Sequence, residues 1–386
     1  MPAVDTVVQC DVLPSFRVRQ VEGMFDVPAE ARAARRFVAQ LPGDEEPWQI
    51  GAIVGPSGSG KTTVARTAFG PAVAERGRWP RARAVIDGFG ERPIKTITST
   101  LTAVGFSSPP AWLRPYHTLS NGEQFRCDLA RALLRGEPLV VFDEFTSVVD
   151  RTVARIASAA VAKAVRAGRV SARQFVAVSC HYDILEWLCP DWVLDLATGE
   201  LARGSLQRPL YERPPIELEL FRCSRTAWRL FAPHHYLSGE LHISSQCYLA
   251  AWQERPVAFV ALLHAAGHRD WLRVSRLVTL PDYQGVGIGS AVLDAVCERA
   301  GLGHKRVTIT TGHPAMIRRL AHSPLWRRRR IKRSGVGKNT HRAYAASQAT
   351  ARAVASFEYE RNGTHPGTGM VHQDQEGPAA AEARGR

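Results

Sequence analysis

Four stretches of the 386-residue chain place backbone or side chains where phosphate chemistry could be done. The segment GPSGSGKT, with the threonine after it, supplies Gly55, Pro56, Ser57, Gly58, Ser59, Gly60, Lys61, Thr62 and Thr63. Its glycines let amide N–H groups wrap phosphates, the Lys61 ammonium adds a point charge at the terminal phosphates, and the Thr62 hydroxyl can ligate Mg²⁺. Further on, the apolar run LVVF ends in Asp143 and Glu144. Asp143 suits Mg²⁺, directly or through water, and Glu144 suits polarising an attacking water. Acids at a strand end are often only solvated caps, so this pair takes its weight from the phosphate loop before it. A second glycine turn, Gln284, Gly285, Val286, Gly287, Ile288 and Gly289, precedes a helical stretch. The amides of Val286 to Gly289 and the helix N-terminus can hold a pyrophosphate there. Last, Trp326 is followed by Arg327, Arg328, Arg329, Arg330, Ile331, Lys332 and Arg333, a run that no acid interrupts. Such a run suits a nucleic-acid backbone, although a solvated face would explain it too.

The elements that must position these groups follow from hydrophobic pattern. Phe16–Val21 and Arg36–Leu41 alternate in the manner of strands that flank a nucleotide site. QIGAIV (49–54) is a buried-strand run that stops at the first glycine loop, and TTVARTAF behind it is helical. Leu139–Phe142 and Phe175–Val178 are further buried strands, with a helix-rich piece before the first of them, broken by SSPPAWLRP. Strand, phosphate loop, helix and more buried strands make an α/β sheet. Residues 199–215 (GELARGSLQRPLYERPP) read as a linker. Beyond it IELELF, CYLAAWQ, VAFVALLH and LRVSRLVTL are strand-like, a helix runs from about Ser290 to Ala300, and RVTITT is another strand. From His365 the chain is rich in Gly, Ala, Glu and Arg with few apolar groups, the composition of a disordered tail.

In order along the chain, GPSGSGKT, LSNGEQ (Leu119 to Gln124), LVVFDE, SVVD (Ser147–Asp150) and His181 after FVAVSC resemble the motif set of ABC ATPases, over about residues 10–205. The resemblance implies that Ser120 and Gly122 meet the γ-phosphate from across a dimer, that Asp150 lies in the D-loop, and that His181 is the switch histidine. One phosphate loop and one signature per chain imply a head-to-tail homodimer on ATP binding. Two departures matter. There is no glutamine between Lys61 and Ser120, so the usual Q-loop residue is missing, and the interval is short. Glu123 stands where transporters usually have Gln, as in SMC-like and DNA-repair ABC proteins. A transporter role is therefore not expected. Phe16 and Phe25 are candidates for the adenine-stacking aromatic and are equally suited to a core.

Gln284 to Gly289 matches Q/R-x-x-G-x-G/A at a strand-to-helix junction and resembles the acyl-CoA motif of GNAT N-acyltransferases. A dinucleotide site is disfavoured, because Gln284 stands at the first required glycine and no ribose-binding acid follows in a βαβ unit. The resemblance implies that the strand from Arg276, with Leu277, Val278 and Thr279, offers backbone groups to a pantetheine arm. Many family members use a tyrosine after the strand equivalent to RVTITT. Here GHPAMIRRLAHSPLW has none, leaving His313, His322 or Ser323 as the proton donor, or catalysis by positioning alone. His234, His235, Tyr236 and His242 lie close in sequence and suit packing or a surface as well as a site. The pairing resembles phage and prokaryotic fusions of an ABC ATPase with a GNAT domain. GHPAMIRRLAHSPLW and ASFEYERNG are also reminiscent of phage Mom-type DNA-base modification proteins.

The expected architecture is an α/β P-loop ABC ATPase domain (1–205), an α+β GNAT-like domain (206–362) and a disordered tail (363–386). A net charge of +14 points to a polyanionic partner. Seven scattered cysteines without CxxC pairs read as reduced thiols of a cytoplasm. No signal-peptide pattern opens the chain and no run approaches eighteen apolar residues, so no membrane association is expected. The expected ligands are ATP, Mg²⁺ and acetyl-CoA or another acyl-CoA. The favoured activity is ATP hydrolysis coupled to acyl transfer onto a nucleic-acid base. The alternatives are a DNA clamp whose GNAT half does not catalyse, and an acetyltransferase for a small amine or protein.

Overall fold

The computed structural model describes residues 3–11, 13, 15–26, 32–42, 47–74, 77–204, 210–235, 240–303, 306–333, 353–360 and 370–372. In chain order the first half contains β1 (Ala3–Asp11), α1 (Phe16–Phe25), β2 (Arg32–Gln40), β3 (Ile50–Val54), α2 (Lys61–Phe69), β4 (Val73–Ala74), α3 (Ile94–Ala103) and α4 (Pro109–Trp112). It continues with α5 (Asn121–Leu133), β5 (Leu139–Phe142), α6 (Arg151–Arg166), β6 (Gln174–Ser179), α7 (Leu185–Leu188), β7 (Trp192–Asp195) and β8 (Glu200–Arg203). The second half contains β9 (Leu218–Cys223), α8 (Trp228–Phe231), β10 (Gln246–Trp252), β11 (Arg255–Ala265), β12 (His268–Thr279), α9 (Ile288–Gly301), β13 (Arg306–Thr311), α10 (Pro314–Ala321), β14 (Trp326–Arg333), β15 (Ala353–Tyr359) and β16 (Met370–His372).

By contacts the chain forms two compact units. One is Met1–Gly77, Ala132–Val148 and Val165–Arg213; the other is Arg78–Arg131, Val149–Ala164 and Pro214–Arg386. In the first, a sheet of order β4-β5-β6-β3-β7-β8 is parallel except where β8 turns back on β7. Central β3 is buried at all five positions, which is why IGAIV is a continuous apolar run rather than an alternating one. The core here gathers Ile53, Val64, Val141, Val176, Val178 and Leu194, together with Val4, Ala39 and Leu41 around the β1–β2 hairpin. Phe16–Val21, expected as a strand, lies in α1. Ser15 caps that helix, its Oγ accepting from Val18 N at 3.2 Å, and the cap outweighs a short alternation. Phe16 and Phe25 are both exposed. Part of the expected linker is strand too, since Glu200–Arg203 pairs with Trp192–Asp195.

In the second unit an eight-stranded sheet has the order β14-β15-β13-β12-β11-β10-β9-β16. Strands β9 to β12 form an antiparallel meander, β12 and β13 are parallel, and β15 lies antiparallel between β13 and β14. Phe221, Trp228, Phe231, Leu249, Phe259 and Val278 make one core around α8. Helix α9 packs on β11, β12 and β13 and buries Val292, Leu293, Val296 and Ala300. Within the segment expected to be a disordered tail, Met370–His372 pairs in parallel with Leu218–Leu220, because β9 would otherwise offer an unpaired ladder edge. The remainder of that segment lies outside the described residues. No helix among the described residues is long and apolar enough to cross a membrane.

Candidate nucleotide and acyl-donor sites

At the C-terminal end of β3 the chain turns through Gly55 to Gly60 into α2. Gly58 and Gly60 hold φ of 78° and 90°, left-handed values that favour glycine. A Cβ on Gly60 would sit 2.1 Å from the Phe37 ring, so the loop has no room for a side chain there. Lys61 Nζ donates to the carbonyls of Gly55 at 2.9 Å and Pro56 at 2.7 Å, lying across the loop it would share with a phosphate. Thr62 Oγ1 donates to Asp143 Oδ1 at 3.2 Å, which brings together the two expected Mg²⁺ ligands from α2 and the end of β5. Glu144 is exposed and takes φ of 50°, an uncommon value for a residue with a Cβ. That turn is held by Phe145 N donating to Val178 O and by Ser179 Oγ donating to Phe145 O. His181 stands two residues past the end of β6, and its amide donates to Ser179 Oγ.

The signature sits in the second unit. Ser120 N donates to Glu123 Oε2 at 3.0 Å and Glu123 N donates to Ser120 Oγ at 3.3 Å, a capping box that opens α5. Glu123 thus has a local structural reason to be glutamate. Gly122 faces Val153 of α6, where a Cβ would come within 3.2 Å of Cγ1. Asp150 Oδ1 accepts from the amides of Thr152 and Val153 and caps α6.

The same unit builds the second glycine site. Strands β12 and β13 pair only from Trp271–Arg306 to Val274–Ile309, and then part. Beyond that point Leu277, Val278 and Thr279 remain paired with Val260, Phe259 and Ala258 of β11. Among the described residues their β13-facing edge has no strand partner, though Thr279 O accepts from Gln284 Nε2 at 2.8 Å. Helix α9 starts beside this gap. Its N-cap Gly287 has φ of 113°, and the first N–H groups of a helix have no acceptor within it. A Cβ on Gly289 would lie 2.5 Å from Thr279 Oγ1, so the bare glycine is what lets helix and strand end meet. An open strand edge beside the first amides of a helix fits a pantetheine arm and its pyrophosphate.

His313 stands at the N-cap position of α10 and is half-buried; that burial pulls its pKa below the ordinary histidine value, against a hydrogen bond to the Ser107 backbone. His322 is exposed, with Nδ1 2.8 Å from Arg318 O, and Ser323 Oγ accepts from Leu325 N. His234 is half-buried and burial lowers its pKa too, while the charges of Glu123 and Asp282 oppose the shift. His235 meets the Trp228 ring edge-on and His242 Nδ1 accepts from Ser244 N. Tyr236 lies outside the described residues. Among the described residues no group of three His, Cys, Asp or Glu side chains could hold a metal.

The basic run is strand β14, and its cations are not equivalent. Although no acid interrupts it in sequence, β15 sets carboxylates beside it. Arg327 Nε lies 2.9 Å from Glu360 Oε1 and Arg329 Nε 2.6 Å from Glu358 Oε2. Burial would raise the Glu358 pKa, but the hydrogen bonds and charge of Arg306, with Arg329 and Arg327, hold it below the usual carboxylate range. Arg328, Arg330 and Lys332 are exposed. The Arg333 side chain, Lys338 and Arg342 lie outside the described residues.

Three residues that no motif announced touch the second glycine turn. Ser107 N donates to Gln284 Oε1 at 2.7 Å, Arg126 Nη2 donates to Asp282 O at 3.3 Å, and Lys163 Nζ donates to Val286 O at 3.3 Å. Each is more than 100 positions away in sequence, so local pattern carries no signal for them.

Known proteins match the two halves separately. The acetyltransferase (GNAT) domain family matches residues 244–363. The chain is similar to the zinc import ATP-binding protein ZnuC of Pseudomonas aeruginosa, 33% identical over 127 residues, covering 27% of this chain and 46% of that protein. It is also similar to ZnuC 1 of Hahella chejuensis, 31% identical over 136 residues, covering 31% and 53%. The chain thus spans about half the length of the curated relatives it matches. Among solved structures it is similar to the dimeric, ADP- and phosphate-bound ATP-binding cassette MJ0796, at 15% identity and a TM-score of 0.33, covering 40% of this chain and 85% of that one. It is similar as well to an IAA acetyltransferase from Bacillus cereus, at 17% identity and a TM-score of 0.27, covering 36% and 97%. The chain thus joins an N-terminal region similar to ABC ATP-binding proteins to a C-terminal region, 244–363, that matches the GNAT acetyltransferase domain model.

Proposed function

We propose that this protein is an ATP-dependent clamp that moves an acyl group from an acyl-CoA to an amine of a nucleic-acid base. The observation that carries the reading is the parting of β12 and β13 beside the amides of α9, a slot for a thioester donor. In the transfer, the acceptor nitrogen bonds to the thioester carbonyl carbon, the C–S bond breaks, and the amine proton ends on the leaving thiolate. His313, whose pKa its partial burial lowers, carries that proton through a ring nitrogen. Leu277, Val278 and Thr279 line the donor's arm with backbone groups, and Val286 to Gly289 hold its pyrophosphate.

At the other end, Gly55 to Thr63 and Lys61 hold ATP, and Thr62 with Asp143 would hold Mg²⁺, which supplies charge neutralisation at the phosphates. Glu144 orients the attacking water and His181 senses the γ-phosphate. Ser120, Gly122 and Asp150 act on the partner's nucleotide in a head-to-tail dimer. Exposed Arg328, Arg330 and Lys332, in a chain of net charge +14, favour a polyanionic acceptor over a small amine. The test is a transfer assay with the full-length protein, acetyl-CoA labelled in its acetyl group, ATP, Mg²⁺ and either duplex DNA or tRNA. Label in the nucleic acid supports the reading. Label in protein alone, or none, overturns it.

A further inference from the structure

The glycine turn assigned to the acyl donor is not held by the acetyltransferase domain alone. The other contacts come from the loop after α3, ahead of the ABC signature, and from α6 behind the D-loop. Ser107 N fixes Gln284 Oε1 while Gln284 Nε2 donates to Thr279 O, so one side chain is tied to the end of β12 and to the loop after α3. At Gly105 the approach is closer still: a Cβ there would lie 2.6 Å from Gln284 O, and one on Gly285 would lie 2.8 Å from both Ala160 Cβ and Gly105 Cα. Lys163 Nζ holds Val286 O at 3.3 Å. Because a trans peptide is planar, a fixed Val286 carbonyl fixes the Gly287 N–H on the opposite side, away from Lys163. Lys163 therefore aims one of the amides expected to meet the donor's pyrophosphate, from another part of the chain.

Others of these contacts lie on the two helices that follow the signature and the D-loop. Arg126 is on α5, six residues after Ser120, or about 9 Å at helical rise. Ala160 and Lys163 are on α6, whose N-terminus is capped by Asp150 of the D-loop. Gly122 against Val153 packs the starts of the two helices together. One contact is also unfinished. Arg126 is wholly buried, its Nε and Nη1 find no hydrogen-bond partner among the described residues, and Nη1 stands 3.7 Å from Asp282 Oδ1. A buried guanidinium left short of acceptors is costly, so a small shift that completed the Arg126–Asp282 pair would be favourable. The interface has somewhere to go when the signature helix is loaded.

We infer that the signature segment is the outer wall of the acyl-donor site, with Lys163 and Ser107 as positioning residues, so that the nucleotide state of the ABC half sets donor affinity. The inference rests on the reading of Gln284 to Gly289 as the donor turn. Coupling between two sites is reciprocal, so the donor must change ATP-driven dimerisation by the same factor.

The experiment measures calorimetric binding of coenzyme A to the full-length protein, without nucleotide and with ATP and Mg²⁺ on the Glu144→Gln background, which holds the ATP-bound state. The affinity is expected to differ by at least about 5-fold, the lower end of usual coupling. Coenzyme A at saturation should shift the ATP concentration for half-dimerisation by an equal factor. Lys163→Met should weaken coenzyme A binding by roughly tenfold, as loss of a charged hydrogen bond does, and should lessen the nucleotide effect. Lys163→Arg should restore both. Equal affinity in the two nucleotide states overturns the coupling and leaves the donor site standing. No binding of coenzyme A in either state overturns the donor site itself. A Lys163→Met protein that keeps its thermal midpoint and its nucleotide-dependent affinity removes Lys163 from the role.

Discussion

Replacing Arg328 and Arg330 with Gln should flatten the salt dependence of nucleic-acid binding, and replacing Arg327 and Arg329 should not. The structure separates the two pairs. Arg327 and Arg329 each stand beside a carboxylate, at 2.9 and 2.6 Å, Glu358 being shared with Arg306, so part of their charge is offset within the protein. Arg328 and Arg330 are exposed on an edge strand. Each phosphate neutralised on a duplex releases about 0.9 counterion, so the pair accounts for a log–log slope of up to about 1.8. Between 50 and 200 mM salt, that slope is worth about a twelvefold difference in the loss of affinity. The Arg327→Gln/Arg329→Gln protein should weaken binding through the unbalanced Glu360 carboxylate while changing the slope by less than about 0.9, half of what the other pair accounts for. Fluorescence anisotropy with a labelled 20-base-pair duplex at several KCl concentrations measures both. Equal slopes for wild type and the Arg328→Gln/Arg330→Gln protein would remove β14 from the nucleic-acid interface. Equal losses for the two double variants would show that the carboxylates do not divide the run.

Three further outcomes are expected. Glu144→Gln should lower ATP turnover by about 10²- to 10⁴-fold while an ATP-bound dimer accumulates, read by sedimentation with ATP and Mg²⁺; a protein that stays monomeric at saturating ATP contradicts the composite site. Gly289→Val puts a side chain where Thr279 Oγ1 already stands 2.5 Å from a Cβ, so coenzyme A affinity should fall at least about tenfold with ATP hydrolysis unchanged. Burial holds the His313 pKa below its unfolded value near 6.5, so its share of stability is complete above that pH and is lost as pH falls toward the folded value. His313→Gln should therefore shrink the drop in thermal midpoint between pH 7.5 and 5.5, and an unchanged drop would place the pH sensitivity elsewhere.

What the sequence disclosed was what is local. GPSGSGKT, the DE pair after LVVF and the strand runs around them each make their case within a few residues, and the corresponding strands and α2 lie where those runs stand. Alternation over six residues misled at Phe16–Val21, where a serine cap and a 3–4 spacing of Val18, Val21 and Phe25 favour helix. The basic run hid a strand, since arginines carry little apolar pattern and the carboxylates that pair with two of them arrive from β15. The glycine turn before α9 was legible as a motif, but the gap between β12 and β13 beside it was not. Its parting strands depend on pairings between Trp271–Val274 and Arg306–Ile309, which no local window contains. The Ser107, Arg126 and Lys163 contacts were wholly silent for the same reason.

The most direct test of the account is mass spectrometry of nucleosides from DNA and RNA of cells expressing the full-length protein, beside cells expressing its Glu144→Gln and Gly289→Val variants. The account predicts a base bearing the added mass of an acyl group with wild type, and none with either variant. The same nucleosides in all three would contradict it.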